Sequence, residues 1–185
     1  MRIWYVAWVL LSTFQWYACA TVSLTVLDRT SIASEIEKEL KTIYLDAFTI
    51  VYKDNWSEHL ENLVLKSFDM YYERFKSNNN RLLITASIDT TLSGWALFHK
   101  EDQNAILELL CVDPHYWRHG LGRKLVFSIR EYFPEITTIT LITRRINTIS
   151  PLFYQSLGFK ETNFMIPGFN AAEMQGFEWK QSKAE

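Results

Sequence analysis

The chain has 185 residues, 48% hydrophobic and 22% charged, with 6 Gly, 4 Pro and 2 Cys. These proportions exclude a disordered, collagen-like or disulfide-stapled chain and fit one ordinary globular domain. Nineteen Lys and Arg against 21 Asp and Glu leave a formal charge of -2, so no overall positive field exists to draw the protein onto nucleic acid.

Residues 1–20 read apart from the rest. Arg2 is followed by no charged residue from Ile3 to Leu27, and Ala18, Cys19 and Ala20 form a small-x-small site, the pattern of a secretory signal peptide cleaved before Thr21. A membrane-anchoring segment is the competing reading, and contact with a membrane is expected only through these residues. A start set too early would make the protein cytoplasmic. The expected division is therefore 1–20 as signal or anchor and 21–185 as the domain. Once Cys19 is removed, only Cys111 remains, so no internal disulfide is expected. His59, His99, His115 and His119 lack zinc spacing, and no metal is expected.

Thr21 to Leu27 alternates polar and apolar residues, which predicts a first strand. Ser34 with Glu37 forms a capping-box pair ahead of Ile36, Leu40, Ile43, Ala47 and Val51 at helical spacing, and Asn55 with Glu58 repeats the signal ahead of a stripe from Trp56 to Phe75. Three β-type runs follow, Leu82 to Ile88, Gly94 to His99 and Ile106 to Val112, divided by short polar turns, which predicts an antiparallel meander. A glycine-containing loop leads into a helix from Leu121 to Phe133. A strand over Thr137–Thr143, a helix over about Ile149–Leu157, and strands near Thr162–Ile166 and Gly176–Gln181 complete the order.

The chemistry concentrates between Val112 and Leu125. A strand ends at Asp113-Pro114, Gly120 and Gly122 let the backbone approach a ligand closely, and a helix starts at once with its free N–H groups aimed into the loop. Such an arrangement binds phosphate. It is neither a Walker loop nor a dinucleotide fingerprint. By itself the loop is equally a tight strand-to-helix turn.

This stretch resembles the acyl-CoA pyrophosphate loop of the GNAT superfamily of N-acyltransferases, Arg/Gln-x-x-Gly-x-Gly/Ala after a Val-x-Pro strand end. Asn147 to Phe159 resembles that family's second signature, Asn-x-x-Ala-x-x-x-Tyr-x-x-x-Gly-Phe, with Asn147, Tyr154, Gly158 and Phe159 in place. Two positions depart from the pattern: Trp117 stands where Arg or Gln is usual, and Ser150 where Ala is usual. The resemblance covers roughly Val22 to Lys180. It implies an α/β single domain, a mixed, mostly antiparallel sheet of about seven strands flanked by about four helices.

The resemblance also implies roles. Backbone groups of Leu110 and Val112 would pair with the pantetheine arm and polarise the thioester carbonyl, and backbone amides of Arg118, His119, Gly120, Leu121, Gly122 and Arg123 would hold the pyrophosphate. Asn147 would bond the pantetheine, although a helix cap explains it equally. Tyr154 would protonate the departing thiolate, with packing as its bland role.

The base is read from the residues themselves. A lysine-like acceptor is on the order of one part in a thousand unprotonated at pH 7, a cost of roughly 4 to 5 kcal/mol. Glu108 lies in the predicted fourth strand, and period-two alternation puts it on the face of Leu110 and Val112. It is the candidate base, with pairing to Arg81 or His99 as the alternative. Cys111, on the opposite face, reads as a small core residue. Arg123 could meet a CoA phosphate, while His115, His119, Arg144 and Arg145 read as solvated loop charge. Pro167 to Gln175 and the first two helices would wall the acceptor pocket, with Phe169, Met174 and Phe177 as its apolar element.

The expected function is acetyl transfer from acetyl-CoA, as co-substrate, to a primary amine by direct attack in a ternary complex. A catalytically silent CoA-binding domain and a secreted interaction module are the rival expectations.

Overall fold

The computed structural model describes residues 21–30 and 32–182. The reading of residues 1–20 as signal or anchor lies outside the described residues. Among the described residues no helix is long and apolar enough to cross a membrane.

In chain order the elements are β1 (Val22–Val26), α1 (Ser34–Val51), α2 (Glu58–Ser77), β2 (Arg81–Ile88), β3 (Thr91–Glu101), β4 (Asn104–Val112), α3 (Leu121–Tyr132), β5 (Thr138–Arg144), α4 (Ile149–Ser156), β6 (Lys160–Thr162) and β7 (Met174–Lys180). Short 3-10 turns occupy Lys53–Asn55 and Pro114–Tyr116. The strands form one seven-stranded sheet in the order β1-β2-β3-β4-β5-β7-β6, the α/β architecture expected. Every pairing is antiparallel except β4 with β5.

Each face of the sheet is covered by two helices because each helix carries a single apolar stripe. Leu40, Ile43 and Tyr44 of α1 and Val64, Phe68 and Phe75 of α2 pack over Leu83, Trp95, Leu97 and Cys111. On the other face Leu121, Leu125, Val126 and Ile129 of α3 and Tyr154 of α4 pack over Ile84, Ala96, Phe98 and Leu141. Trp95 is the hinge of the first layer. Its indole N–H donates to the Leu40 carbonyl at 3.1 Å, and its ring lies 6.0 Å from both Tyr44 and Phe68.

Several boundaries differ from the sequence reading, each for a local reason. The capping box at Ser34 does not form: Ala33 holds the extended N-cap position, its carbonyl accepts from Ile36 and Glu37, and Ser34 instead bonds Glu35. For α2 the cap is Ser57, whose hydroxyl accepts from the Leu60 N–H at 3.2 Å, while Asn55 closes the preceding 3-10 turn. β6 runs over Lys160–Thr162 rather than Thr162–Ile166, because the Phe164 N–H folds back onto Thr162 Oγ1 at 3.2 Å and turns the chain out of the ladder. β7 starts at Met174, two residues earlier than its alternation suggests.

The largest correction is in β4. Phe98 opposes Leu107 and Leu97 opposes Leu109, so Glu108 is an extra residue without a partner, a β-bulge. A bulge resets the alternation of side chains. Glu108 therefore leaves the face of Leu110 and Val112, which pack with the α3 layer, and points with Leu109 and Cys111 toward α1 and α2.

Replacing Trp95 by Ala removes the largest fully buried side chain, and a loss of about 3–5 kcal/mol is expected. Urea unfolding should show this as a lower midpoint at unchanged m-value.

Candidate active site

β4 and β5 run side by side for only three residue pairs, Asn104 with Thr138, Ala105 with Ile139 and Ile106 with Thr140. Beyond Ile106 the strands diverge, while β4 stays paired to β3 as far as Val112 and β5 stays paired to β7 as far as Arg144. The bulge at Glu108 lies where the parting begins, and bulges bend the strand that carries them. The outcome is a cleft in the middle of the sheet, with one backbone edge of β4 left unpaired.

Ladder phase decides which groups line that edge. The Asp113 N–H donates to the Ser93 carbonyl at 2.9 Å, so by antiparallel alternation Asp113 and Cys111 bond to β3, and Leu110 and Val112 turn their backbone groups into the cleft. The Val112 carbonyl is taken by the Trp117 indole N–H at 2.7 Å. Its amide, and both backbone groups of Leu110, face the opening. Trp117 thus ties the end of β4 to the following loop instead of offering a charged side chain.

The loop then enters α3 through left-handed backbone at Arg118 (φ 68°) and Gly120 (φ 79°). A side chain at Gly120 would meet no atom within 4 Å, so the glycine is there for its backbone conformation and not for space. The first helical bond runs from the Lys124 N–H to the Gly120 carbonyl at 3.1 Å, which leaves the amides of Leu121, Gly122 and Arg123 without helical partners. These N–H groups and the helix dipole point the same way, a donor chemistry that suits an anion. At Gly122 a Cβ would sit 3.0 Å from the Phe153 ring and 3.8 Å from Val112, so its absence keeps α3, α4 and β4 close around the cleft. His119 and Arg123 are exposed; Arg123 lies over the Phe127 ring at 5.7 Å, and His119 Nδ1 sits 2.9 Å from the Trp117 carbonyl.

α4 supplies the remaining sequence candidates. Asn147 is buried and caps this helix: Oδ1 accepts from Ile149 and Ser150 at 3.1 and 2.9 Å, and Nδ2 donates to Ser150 Oγ at 2.6 Å. Ser150, in place of the family's usual Ala, is therefore a bonding partner of the cap. Tyr154 packs among Phe153, Phe159 and Phe177 and lines the cleft with a hydroxyl that makes no hydrogen bond among the described residues. Burial pushes its phenol well above the ordinary tyrosine value, with the neighbouring Cys111 adding to the shift.

The cleft opens into a cavity of about 280 Å³. Tyr44, Phe48 and Tyr52 from the α1 end, Leu63, Val64 and Tyr71 from α2, and Phe169 and Met174 from the loop before β7 wall its far side, as the sequence suggested. Phe177 does not belong there; it is fully buried in the α3–α4 layer. Glu108 reaches this side, and both its oxygens are taken by Arg81, from Nε at 2.8 Å and Nη2 at 2.9 Å, with the Arg81 and Glu108 side chains only 11% and 4% exposed. Arg144 also lines the cavity and is not a loop charge in bulk water. Sequence reasoning missed Tyr44, Tyr52 and Tyr71 as cavity residues because they stand on apolar helical stripes. Only their hydroxyls, among neighbours that are otherwise mostly aliphatic or Phe, could have marked them.

No curated protein sequence matches the chain at a significant level. Among solved structures it is similar to the PaiA N-acetyltransferase of Thermoplasma acidophilum, described in complex with coenzyme A, at 20% identity and a TM-score of 0.69 over 86% of this chain and 99% of that one. It is similar to the ribosomal-protein-S18-alanine N-acetyltransferase of Escherichia coli at 20% identity and a TM-score of 0.57, over 88% and 97% of the two chains. An acetyltransferase of Thermus thermophilus superposes with a TM-score of 0.64 at 13% identity, over 87% and 97%. At these identities the likeness establishes a shared fold. The family follows from residues 39–159, well over half of the sequence, which match the Acetyltransferase (GNAT) family and contain both the phosphate-type loop and the Tyr154 helix: the chain belongs to the GNAT acetyltransferases.

Proposed function

We propose that the protein transfers an acetyl group from acetyl-CoA to a primary amine by direct attack within a ternary complex. One observation carries this reading: the unpaired edge of β4 runs straight into the free amides at the start of α3, with the Tyr154 hydroxyl in the same cavity. That donor set suits an anionic pyrophosphate joined to an amide-bearing arm, since N–H groups meet the phosphates and a strand edge meets the amides. The coenzyme A complex of the Thermoplasma relative supports the same cofactor here.

Acetyl-CoA, when bound, supplies the activated thioester. The amides of Leu121, Gly122 and Arg123, with the left-handed turns at Arg118 and Gly120 and the His119 backbone between them, hold the pyrophosphate. The backbone of Leu110 and the Val112 amide orient the arm and polarise the carbonyl, and no reorganisation is needed because the strand edge is already in place. Asn147 shapes the α4 end of the cleft through its cap, and its side chain also faces the Tyr52 hydroxyl across the cavity. As the amine nitrogen bonds to the acetyl carbon and the carbon–sulfur bond breaks, Tyr154 gives its proton to the departing sulfur. Glu108 lines the acceptor side, but a proton placed on it would break a bond to Arg81. We therefore assign Glu108 to holding Arg81 and shaping the cavity, and the amine's proton leaves through water.

The domain of residues 21–185 should bind acetyl-CoA in calorimetry with a Kd in the micromolar range, about -8 kcal/mol. Gly120→Glu should abolish binding, because it forces a side chain into left-handed backbone and sets a negative charge at the phosphate site. Absence of binding by the folded wild-type domain would end the proposal. Tyr154→Phe should lower kcat by about 10²-fold or more at unchanged Kd for acetyl-CoA. Because burial raises this phenol, its proton-donating form persists as pH rises, so kcat should not fall from Tyr154 ionisation below about pH 10. Glu108→Gln leaves Arg81 buried without its counter-charge and should cost about 3–5 kcal/mol of stability. An acidic limb of kcat/KM that survives in this variant, measured below its melting temperature, would support the structural assignment, and loss of that limb would return Glu108 to the role of base.

A further inference from the structure

Among the described residues three charged ones line the cavity, Glu108, Arg118 and Arg144. Arg118 belongs to the phosphate loop. Glu108 is neutralised by Arg81, which holds both of its oxygens. Arg144 is different. At the end of β5 it alternates with Ile139 and Leu141 of the α3–α4 layer, which puts it on the α1–α2 side of the sheet, where it lines the same cavity as Tyr44, Tyr52 and Tyr71. Its one ion pair among the described residues is with Glu173 at 3.5 Å, and that carboxylate side chain is 60% exposed and already accepts from Asn170 through its other oxygen. Such a long, solvated pair contributes little. The acceptor end therefore offers a guanidinium with spare donors in a cavity shared with three phenols, and among the described residues lining it no carboxylate other than Glu108.

That balance selects against an acceptor whose only charges are positive. A diamine would bring a second cation to a pocket that already holds one only weakly compensated, by the solvated Glu173. A guanidinium fork fits a carboxylate. Phe48, Val51, Leu63 and Phe169 on the same walls suit an aliphatic or aromatic side chain.

Resting on the acetyltransferase reading, we infer that the acceptor is an apolar amine carrying a carboxylate close to the reacting nitrogen, and that Arg144 holds that carboxylate. The probes are L-phenylalanine, L-leucine and L-methionine, each against its amide, together with 1,4-diaminobutane and a C-terminally amidated peptide beginning with Glu. Thiol release gives kcat/KM, and calorimetry on CoA-loaded protein compares N-acetyl-L-phenylalanine with N-acetyl-L-phenylalaninamide without turnover. The free acids should exceed their amides by about tenfold or more in both measurements, the scale of one charge-assisted fork. In Arg144→Gln this ratio should fall below about twofold, and Arg144→Lys should restore part of it. Preference for the Glu peptide, lost in Arg144→Gln, supports the same Arg144 pairing and puts the carboxylate on a peptide side chain. Equal use of acids and amides, preference for the diamine, or a ratio that survives Arg144→Gln overturns the inference while CoA binding stands. Failure of the wild type to bind CoA overturns the parent reading, and this one with it.

Discussion

The parting of β4 from β5 is the constraint on which the rest depends. A parallel pair held for only three residues and then opened exposes strand edge in the middle of a sheet, where an unpaired N–H or C=O is costly unless water or a ligand meets it. The protein tolerates this because each strand keeps its outer partner, β3 for β4 and β7 for β5. The apolar layers on both faces hold the two halves at a set opening. The bulge at Glu108 supplies the bend, and the Trp117 indole closes the end of β4 onto the loop.

The same bulge arranges the charges. By taking Glu108 out of alternation it delivers a carboxylate to the α1–α2 face, where Arg81 at the start of β2 meets it in two hydrogen bonds. A buried pair with both oxygens satisfied resists separation, because removing either member strands a buried charge, and it offers little net attraction to a third charge. Among the described residues the cavity is thus lined by two further arginines, Arg118 in the loop before α3 and Arg144 at the end of β5, the latter held only by a long pair to Glu173.

Much of this was legible in the linear sequence. The stripes that became α1, α2 and α3 repeat at helical spacing over many residues, and the meander of β2 to β4 alternates with clear turn signals, so these elements needed only local periodicity. The glycine loop and the Tyr154 helix were visible through two spaced motifs. Caps were read poorly: Ser34 and Asn55 had the right chemistry, but Ala33 and Ser57 took the positions, since a cap is decided by where the chain enters the helix and not by which residue could serve. Phe177 looked like a pocket residue for want of any sign of which face of β7 meets α4.

By itself the sequence determined the order of elements, the apolar faces of the helices, the glycines of the loop before α3 and the chemical types available at the site. Those are properties of neighbours within a few residues, set by sterics and hydrogen bonding close along the chain. Only the tertiary structure decided that Glu108 would bulge, that its partner would be Arg81, 27 residues away, and that Arg144 would share a cavity with tyrosines from two distant helices. A single extra residue in a ladder inverts every facing beyond it, and ion pairs form between whichever side chains the packed layers bring together.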